Sequence, residues 1–323
     1  MQAIIIEKTG GASMLKIKDI ELPKKFNKDD VLIRHTAIGV NFFDVCFRRG
    51  QYKTDRDPII LGTEACGIIE AVGSNVKDFK VGDRVAYATG PIGAYAQKRI
   101  IDKHHLVLVP QNITDVVAAG SLLKGFAAHS LLFRVYLAKR AKRILVHSAA
   151  GGVGQFLCQW ARAMGVEVIG VVGSQEKVAH ALENGCRYVI NAQKGDFLQE
   201  VMKITQNEGV GVVYDGVGKD SLVKSLQCLW PMGLCVSHGE SSGSTPDLNL
   251  NYLVENSLYL TRPILALYKA NRIELALAAG EIFDLIARGI LRPKITEYNF
   301  KDVAQAHSDL ESRKTSGSLV LKL

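Results

Sequence analysis

Cysteine is sparse in this 323-residue chain, and its six copies are scattered. Cys46, Cys66, Cys158, Cys186, Cys228 and Cys235 form no Cys-x-x-Cys pair and no cluster with zinc-ligand spacing. Most sit in apolar surroundings and read as buried, reduced thiols. No apolar run approaches membrane-spanning length. The start, Ala3-Ile4-Ile5-Ile6, is strand-like and lacks the charged start, apolar core and cleavage site of a signal peptide, so a cytoplasmic location is expected. Internal repeats and low-complexity segments are absent. The formal net charge is +8, but the positive residues are dispersed. The densest cluster, Lys139-Arg140-Ala141-Lys142-Arg143, reads as a solvated loop before a strand. It has no interleaved aromatics and no RNA-binding signature, so nucleic acid is not an expected partner. What remains is globular composition, 47% apolar and 22% charged, with length enough for two cores.

The chain is organised around Ile144-Leu145-Val146-His147-Ser148-Ala149-Ala150-Gly151-Gly152-Val153-Gly154. A β-branched apolar run predicts a buried strand, a small-residue turn follows, and apolar spacing predicts a helix over Gln155 to Met164. Against the pattern G-x-G-x-x-G, Ala149 takes the first glycine place, Gly151 the second and Gly154 the third. The first place makes the tight turn, the second admits a pyrophosphate to the backbone, and the third lets helix and strand pack closely. Alanine at the first place demands a turn without positive φ there. The free N–H groups and positive dipole end of the helix then suit a pyrophosphate.

The next strand is expected at Val166–Val172. A cofactor without a 2′-phosphate usually meets a carboxylate at that strand's end. Gly173-Ser174 stands there instead, with Lys177 shortly after, a hydroxyl and an ammonium suited to a phosphate. NADP(H) is therefore favoured over NAD(H). Glu176 lies between them, with its direction open.

Residues 1 to about 122 read as β-rich and glycine-punctuated, a barrel-like domain. A helical pair is expected over about 114–138. From about 143, strands at Ile144–Ser148, Val166–Val172, Tyr188–Ile190, Val212–Tyr214 and Leu234–Ser237 alternate with helices. This alternation predicts an α/β fold with a doubly wound parallel sheet. Leu258-Tyr259-Leu260 supplies an edge strand. A helix near Asn271–Arg288, a strand at Lys294–Phe300, a helix at Asp302–Arg313 and a strand at Gly317–Leu321 follow. This tail is too small for its own core and is expected to return to the first domain. The expected domains are thus 1–122 completed by 265–323, and 123–264.

Several motifs occur in order: Gly10-Gly11, Ala37-Ile38-Gly39-Val40-Asn41-Phe42-Phe43-Asp44, Gly62-Thr63-Glu64-Ala65, Val81-Gly82-Asp83-Arg84-Val85, Gly93-Ala94-Tyr95-Ala96, the Ala-Ala-Gly-Gly-Val-Gly turn and Val213-Tyr214-Asp215. Together they resemble the medium-chain dehydrogenase/reductase superfamily, and within it the zinc-free, zeta-crystallin-like quinone oxidoreductases. The resemblance spans the chain. It implies a GroES-like β-barrel domain, a Rossmann domain and NADPH. Where the alcohol dehydrogenase branch places a zinc-binding Cys and His, this chain has Asn41 and Thr63, and no run of four close cysteines lies between residues 85 and 115. An amide and a hydroxyl are poor zinc ligands, so no metal is expected. His147 and the His104-His105 pair read as solvated or packing residues.

The resemblance places Asn41 and Tyr52 near the nicotinamide as the catalytic candidates. Lys124 would approach the nicotinamide ribose or the substrate. Ala150, Gly151, Gly152 and Val153 would hold the pyrophosphate, and Gly173, Ser174 and Lys177 the 2′-phosphate. Ser237, His238, Gly239, Arg262, Pro263, Ser316 and Gly317 would also meet the cofactor. There are departures. Ala192 follows Val189-Ile190-Asn191 where the family commonly has Tyr. Cys46 replaces another Tyr, Gly216 replaces Ser in Tyr214-Asp215-Gly216-Val217-Gly218, and His238 stands where Phe is frequent. The pocket is therefore modified.

The implied activity is NADPH-dependent reduction of a quinone, with catalysis resting on proximity and the cofactor's own chemistry. Bound water, Tyr52 or Asn41 would handle the proton at oxygen. The alternative reaction is reduction of an enone or alkenal double bond. A different class is the RNA-binding or structural role found among zeta-crystallin-like proteins. A homodimer through the Rossmann edge strands is expected.

Overall fold

The computed structural model describes residues 1–54, 58–245, 247–264, 267 and 271–323. It divides into two compact units, Met1–Gly125 with Lys269–Gly289 and Pro293–Leu323, and Phe126–Tyr268 with Ile290–Arg292. The domain boundary expected at 264/265 falls beside residues outside the described set.

In the first unit, strand Asp30–Val40 pairs antiparallel with Glu64–Val72, Lys98–Asp102 and Ser318–Lys322. Ile295–Asn299 extends this sheet beyond Ser318–Lys322, and Arg84–Tyr87 and Val107–Leu108 extend it at the other end. The chain's last strand is thus built into the sheet of its first hundred residues. A smaller sheet joins Lys16–Asp19, Gln2–Ile6 and Ile59–Ile60. Alternate positions send Ile33, Ile69, Val85, Tyr87, Leu319 and Leu321 into one core. Helix Phe42–Arg48 begins directly after strand Asp30–Val40.

In the second unit the strand order is Tyr188–Asn191, Glu167–Val172, Arg143–His147, Val210–Asp215, Leu229–Ser237 and Tyr259–Thr261. All neighbours pair parallel. In order of appearance this is 3-2-1-4-5-6, the doubly wound arrangement, whose direction reverses between Arg143–His147 and Val210–Asp215. Val210–Asp215 is buried along its whole length, which fits its uniformly apolar stretch before Asp215. The ends of these two strands define where a nucleotide binds in such sheets.

Two helix expectations are corrected. The helix after the glycine turn spans Gly152–Ala163, starting three residues before Gln155, because the turn glycines themselves form its first turn. The region 114–138 is a single helix, Asp115–His129, passing into a π-helical segment, Ser130–Val135. Together Asp115–Val135 is long and apolar enough to cross a membrane by length and composition, which corrects the expectation that no apolar run approaches that length. Its most apolar window is 72% buried inside the protein, as befits a core helix that is apolar all round.

Candidate cofactor and active site

The second unit's first strand ends in a kink that resolves the alanine problem. Ser148 takes positive φ, 52°, while Ala149 does not. The Ser148 carbonyl accepts from Gly151 N–H at 2.8 Å. A Cβ on Gly154 would lie 2.1 Å from that same carbonyl oxygen, so no side chain fits at the third glycine place. At Gly151 the corresponding distance is 3.1 Å. Gly151 itself is extended (φ −84°, ψ 180°) and supplies no side-chain cap to the twelve-residue helix. Ala150 is buried, and Gly152 and Val153 open the helix with N–H groups that have no carbonyl one turn back. These features fit a pyrophosphate: a close backbone approach at the positive end of a helix.

At the end of the neighbouring strand, a Cβ on Gly173 would meet nothing within 4 Å. Ser174 is extended and precedes the short turn Gln175–Lys177. Glu176 now has a direction. The Ser174 hydroxyl, then its own backbone N–H, and last the Lys177 charge hold its carboxyl below the usual carboxylate range. A negative charge therefore shares the hydroxyl and ammonium expected to meet a 2′-phosphate.

Ser237 ends strand Leu229–Ser237, buried, its hydroxyl without a hydrogen-bond partner among the described residues. The Nε2 of His238 is likewise buried and unpartnered. Burial pushes this imidazole down to about 4, so it is neutral at pH 7. His238 N–H donates to the Asp215 carbonyl at 2.8 Å, and a Cβ on Gly239 would lie 2.9 Å from the Gly216 carbonyl. Arg262 donates to Glu240 at 2.6 Å, and Pro263 follows it beyond the edge strand. The Asp215 carboxylate accepts from Val217 N–H, Gly218 N–H, Ser221 and Ser225. Ser225 Oγ also lies 2.9 Å from His147 Nε2, and the His147 ring packs edge-on to Phe197. His147 is thus a packing residue.

In the first unit, Asn41 is the N-cap of helix Phe42–Arg48. Its Nδ2 donates to Glu64 Oε2 at 3.1 Å. Lys124 Nζ donates to the same oxygen at 2.7 Å, and Leu123 N–H donates to Glu64 Oε1 at 2.7 Å. Asn41, Glu64 and Lys124 are all buried. Asn41 N–H donates to Asp44, which also accepts from Tyr95 and Thr63. Burial nonetheless pushes the Asp44 carboxyl up to about 7. Tyr52 is 43% exposed and packs against the rings of Phe43 and Phe47. Gly317, at φ 73°, lies against the Lys294 carbonyl beside Ser316 and leads into the last strand. The structure thus joins Asn41 to Lys124 through Glu64 and gives Tyr52 other neighbours. In the sequence Glu64 stands out only as part of Gly62-Thr63-Glu64-Ala65. The available signal is a carboxylate directly before the run Ala65-Cys66-Gly67-Ile68-Ile69. Among the described residues no group of three or more His, Cys, Asp or Glu is placed to hold a metal ion.

Residues 27–111 match the alcohol dehydrogenase GroES-like domain, and residues 152–279 match the zinc-binding dehydrogenase family. A quinone oxidoreductase from Pseudomonas aeruginosa is 42% identical over 97% of this chain and 96% of its own length. A crystal structure of Escherichia coli quinone oxidoreductase complexed with NADPH superposes with a TM-score of 0.97 at 41% identity, covering 100% of both chains. A 2-haloacrylate reductase from a Burkholderia species is 38% identical over 99% of this chain and 98% of its own length. Both halves of the chain and its whole length therefore agree, and the chain belongs to the zinc-free quinone oxidoreductases of the medium-chain dehydrogenase/reductase superfamily.

Proposed function

We propose that the protein is an NADPH-dependent quinone oxidoreductase. The observation that carries this reading is the Ser148–Gly154 turn at the reversal point of the parallel sheet, in a chain so similar to a relative complexed with NADPH. When bound, NADPH supplies a hydride from its nicotinamide to an electron-poor acceptor. Ala150, Gly151, Gly152 and Val153 hold the pyrophosphate, Gly152 and Val153 through the open N–H groups of the helix start and Gly151 through the close approach that its missing side chain allows. Gly173, Ser174 and Lys177 receive the 2′-phosphate. Ser237, His238, Gly239, Arg262, Pro263, Ser316, Gly317 and Lys124 serve the rest of the cofactor. Asn41 and Tyr52 orient the proton at the acceptor oxygen, and an activated quinone requires little more acid catalysis than that. We assign domains at 1–122 with 265–323, and at 123–264, a cytoplasmic setting that keeps all six thiols free, and a homodimer paired through strand Tyr259–Thr261.

A second reading has one specific support. The Burkholderia relative named 2-haloacrylate reductase points to reduction of a carbon–carbon double bond beside a carboxylate. The two readings separate in one experiment. Purified protein is titrated with NADPH and NADH, then oxidised anaerobically with 1,4-benzoquinone or with 2-chloroacrylate. Tight NADPH binding with quinone-dependent oxidation supports the first reading. Turnover of 2-chloroacrylate alone supports the second, and binding of neither nucleotide overturns both.

A further inference from the structure

We infer that Glu64 is the positioning residue of the nicotinamide end of the site, fixing Asn41 and Lys124 with one carboxylate. This deepens the reading above and rests on it for the roles of those two side chains. Glu64 is wholly buried. A buried carboxylate is costly unless charge and hydrogen bonds compensate it. Here one oxygen accepts from Lys124 Nζ and Asn41 Nδ2, and the other from Leu123 N–H. The fold makes room for it. Glu64 stands opposite Gly39 in the strand pairing, and a Cβ on Gly39 would lie 2.3 Å from Glu64 Oε2. The glycine thus admits the carboxylate to the one place where both donors reach it. Asn41 is at the start of its helix and Lys124 is in the long helix Asp115–His129. Among the described residues Glu64 alone links them by hydrogen bonds, so it sets the distance from the amide to the ammonium.

Glutamine cannot replace it. A glutamine has one oxygen and one NH2 group. It can satisfy Leu123 N–H or the Asn41 and Lys124 donors, and the other side is left donor against donor. The test uses full-length wild type, Glu64→Gln, Asn41→Ala and the double variant. In the cofactor-free protein, the Asn41 side-chain amide, assigned by its loss in Asn41→Ala, exchanges slowly by 15N-edited NMR in wild type and at least tenfold faster in Glu64→Gln. At saturating NADPH and with 1,4-benzoquinone, single-turnover hydride transfer falls tenfold or more in Glu64→Gln. Asn41→Ala then costs less in the Glu64→Gln background than in wild type, a coupling that a purely structural role does not produce. If the lone Lys124 charge unfolds Glu64→Gln, the comparison moves to Glu64→Gln/Lys124→Met, which removes both charges and is expected to show the same loss of amide protection. Unchanged protection, or equal costs of Asn41→Ala in both backgrounds, overturns the inference. A wild type that holds NADPH and does not reduce benzoquinone removes the reaction assigned above. Glu64 is then decided by the amide protection alone.

Discussion

The imidazole of His238 holds the space that a side chain at position 216 would fill: a Cβ on Gly216 would lie 2.9 Å from its Cε1 and 3.4 Å from its Nε2. Two departures from the family pattern, glycine for serine and histidine for phenylalanine, are therefore one local arrangement. Gly216→Ser is expected to destabilise the protein by about 1–3 kcal/mol through overpacking. His238→Ala in the same chain should return most of that loss. Thermal unfolding of the two single variants and the double variant checks it, and additive effects would remove the coupling.

Gly154 and Gly151 make different demands. Alanine at 154 drives its Cβ to 2.1 Å from the Ser148 carbonyl oxygen, with the Ala149 Cα at 2.9 Å. Backbone cannot swing aside as a flexible side chain does, so the strand-to-helix turn must open. Gly154→Ala is expected to cost more than about 3 kcal/mol and to abolish NADPH binding in whatever folds. Gly151→Ala meets the same oxygen at 3.1 Å. It should fold close to normally and weaken NADPH through lost approach to the pyrophosphate. Unfolding curves and NADPH fluorescence titration on both variants distinguish the two roles.

The contrast shows what a sequence can carry. Strand, turn and helix around Gly154 were legible because apolar period and glycine spacing are local. The order of the parallel strands followed from their alternation with helices. The kink at Ser148 was not legible, since serine carries no mark of positive φ; the demand was seen at Ala149 and met one residue earlier. Glu64 was hidden for the opposite reason. Its partners lie 23 and 60 positions away, and nothing local in a strand of buried residues says where a carboxylate finds its donors. Asp115–Val135 is continuous where a helical pair was expected over about 114–138. Its glycines Gly120 and Gly125 let Val320 and Ile282 pack against it.

Asp44 gives a pH signature. Burial pushes its carboxyl up to about 7 in the folded chain, above its ordinary 3.8, against the pull of the Asn41 N–H, the Tyr95 O–H and Lys124. Between those values the folded chain binds a proton that the unfolded chain has released. Stability from this group therefore falls as pH rises through that window. His35, pushed down to about 4 by burial, and His307, to about 3, act in the opposite sense below 6.5. The comparison with Asp44→Asn isolates the carboxyl. Between pH 5 and 8 the melting temperature of wild type should fall relative to that of Asp44→Asn. A constant gap would sink the assignment.

Cofactor choice should respond to Lys177 and Glu176 in opposite directions. Lys177→Ala is expected to weaken NADPH much more than NADH, because only NADPH carries the 2′-phosphate. Glu176 places a carboxylate beside Ser174 and Lys177, where it opposes that phosphate. Glu176→Gln should therefore strengthen NADPH while leaving NADH nearly unchanged. Both shifts should shrink at high salt, since the turn is exposed and screening is strong there. Equal effects on the two nucleotides would take the 2′-phosphate away from this turn.

The edge of the second unit's sheet carries the oligomer prediction. Tyr259–Thr261 pairs on one side with Leu229–Ser237, and among the described residues no strand pairs with its other side. Tyr259 is 60% exposed, and Met232, Leu250, Val254 and Ile264 are exposed as well. An open strand with apolar neighbours is a template for another strand, and proteins that leave such an edge free usually guard it with charge or proline. Pairing with a second copy would bury that apolar surface and satisfy the free backbone groups at once. Light scattering of the full chain should therefore report a dimer. Tyr259→Lys, a charge set in the middle of the edge, should shift it toward monomer without lowering NADPH affinity. A wild-type monomer at micromolar concentration would leave the edge open and the homodimer without support.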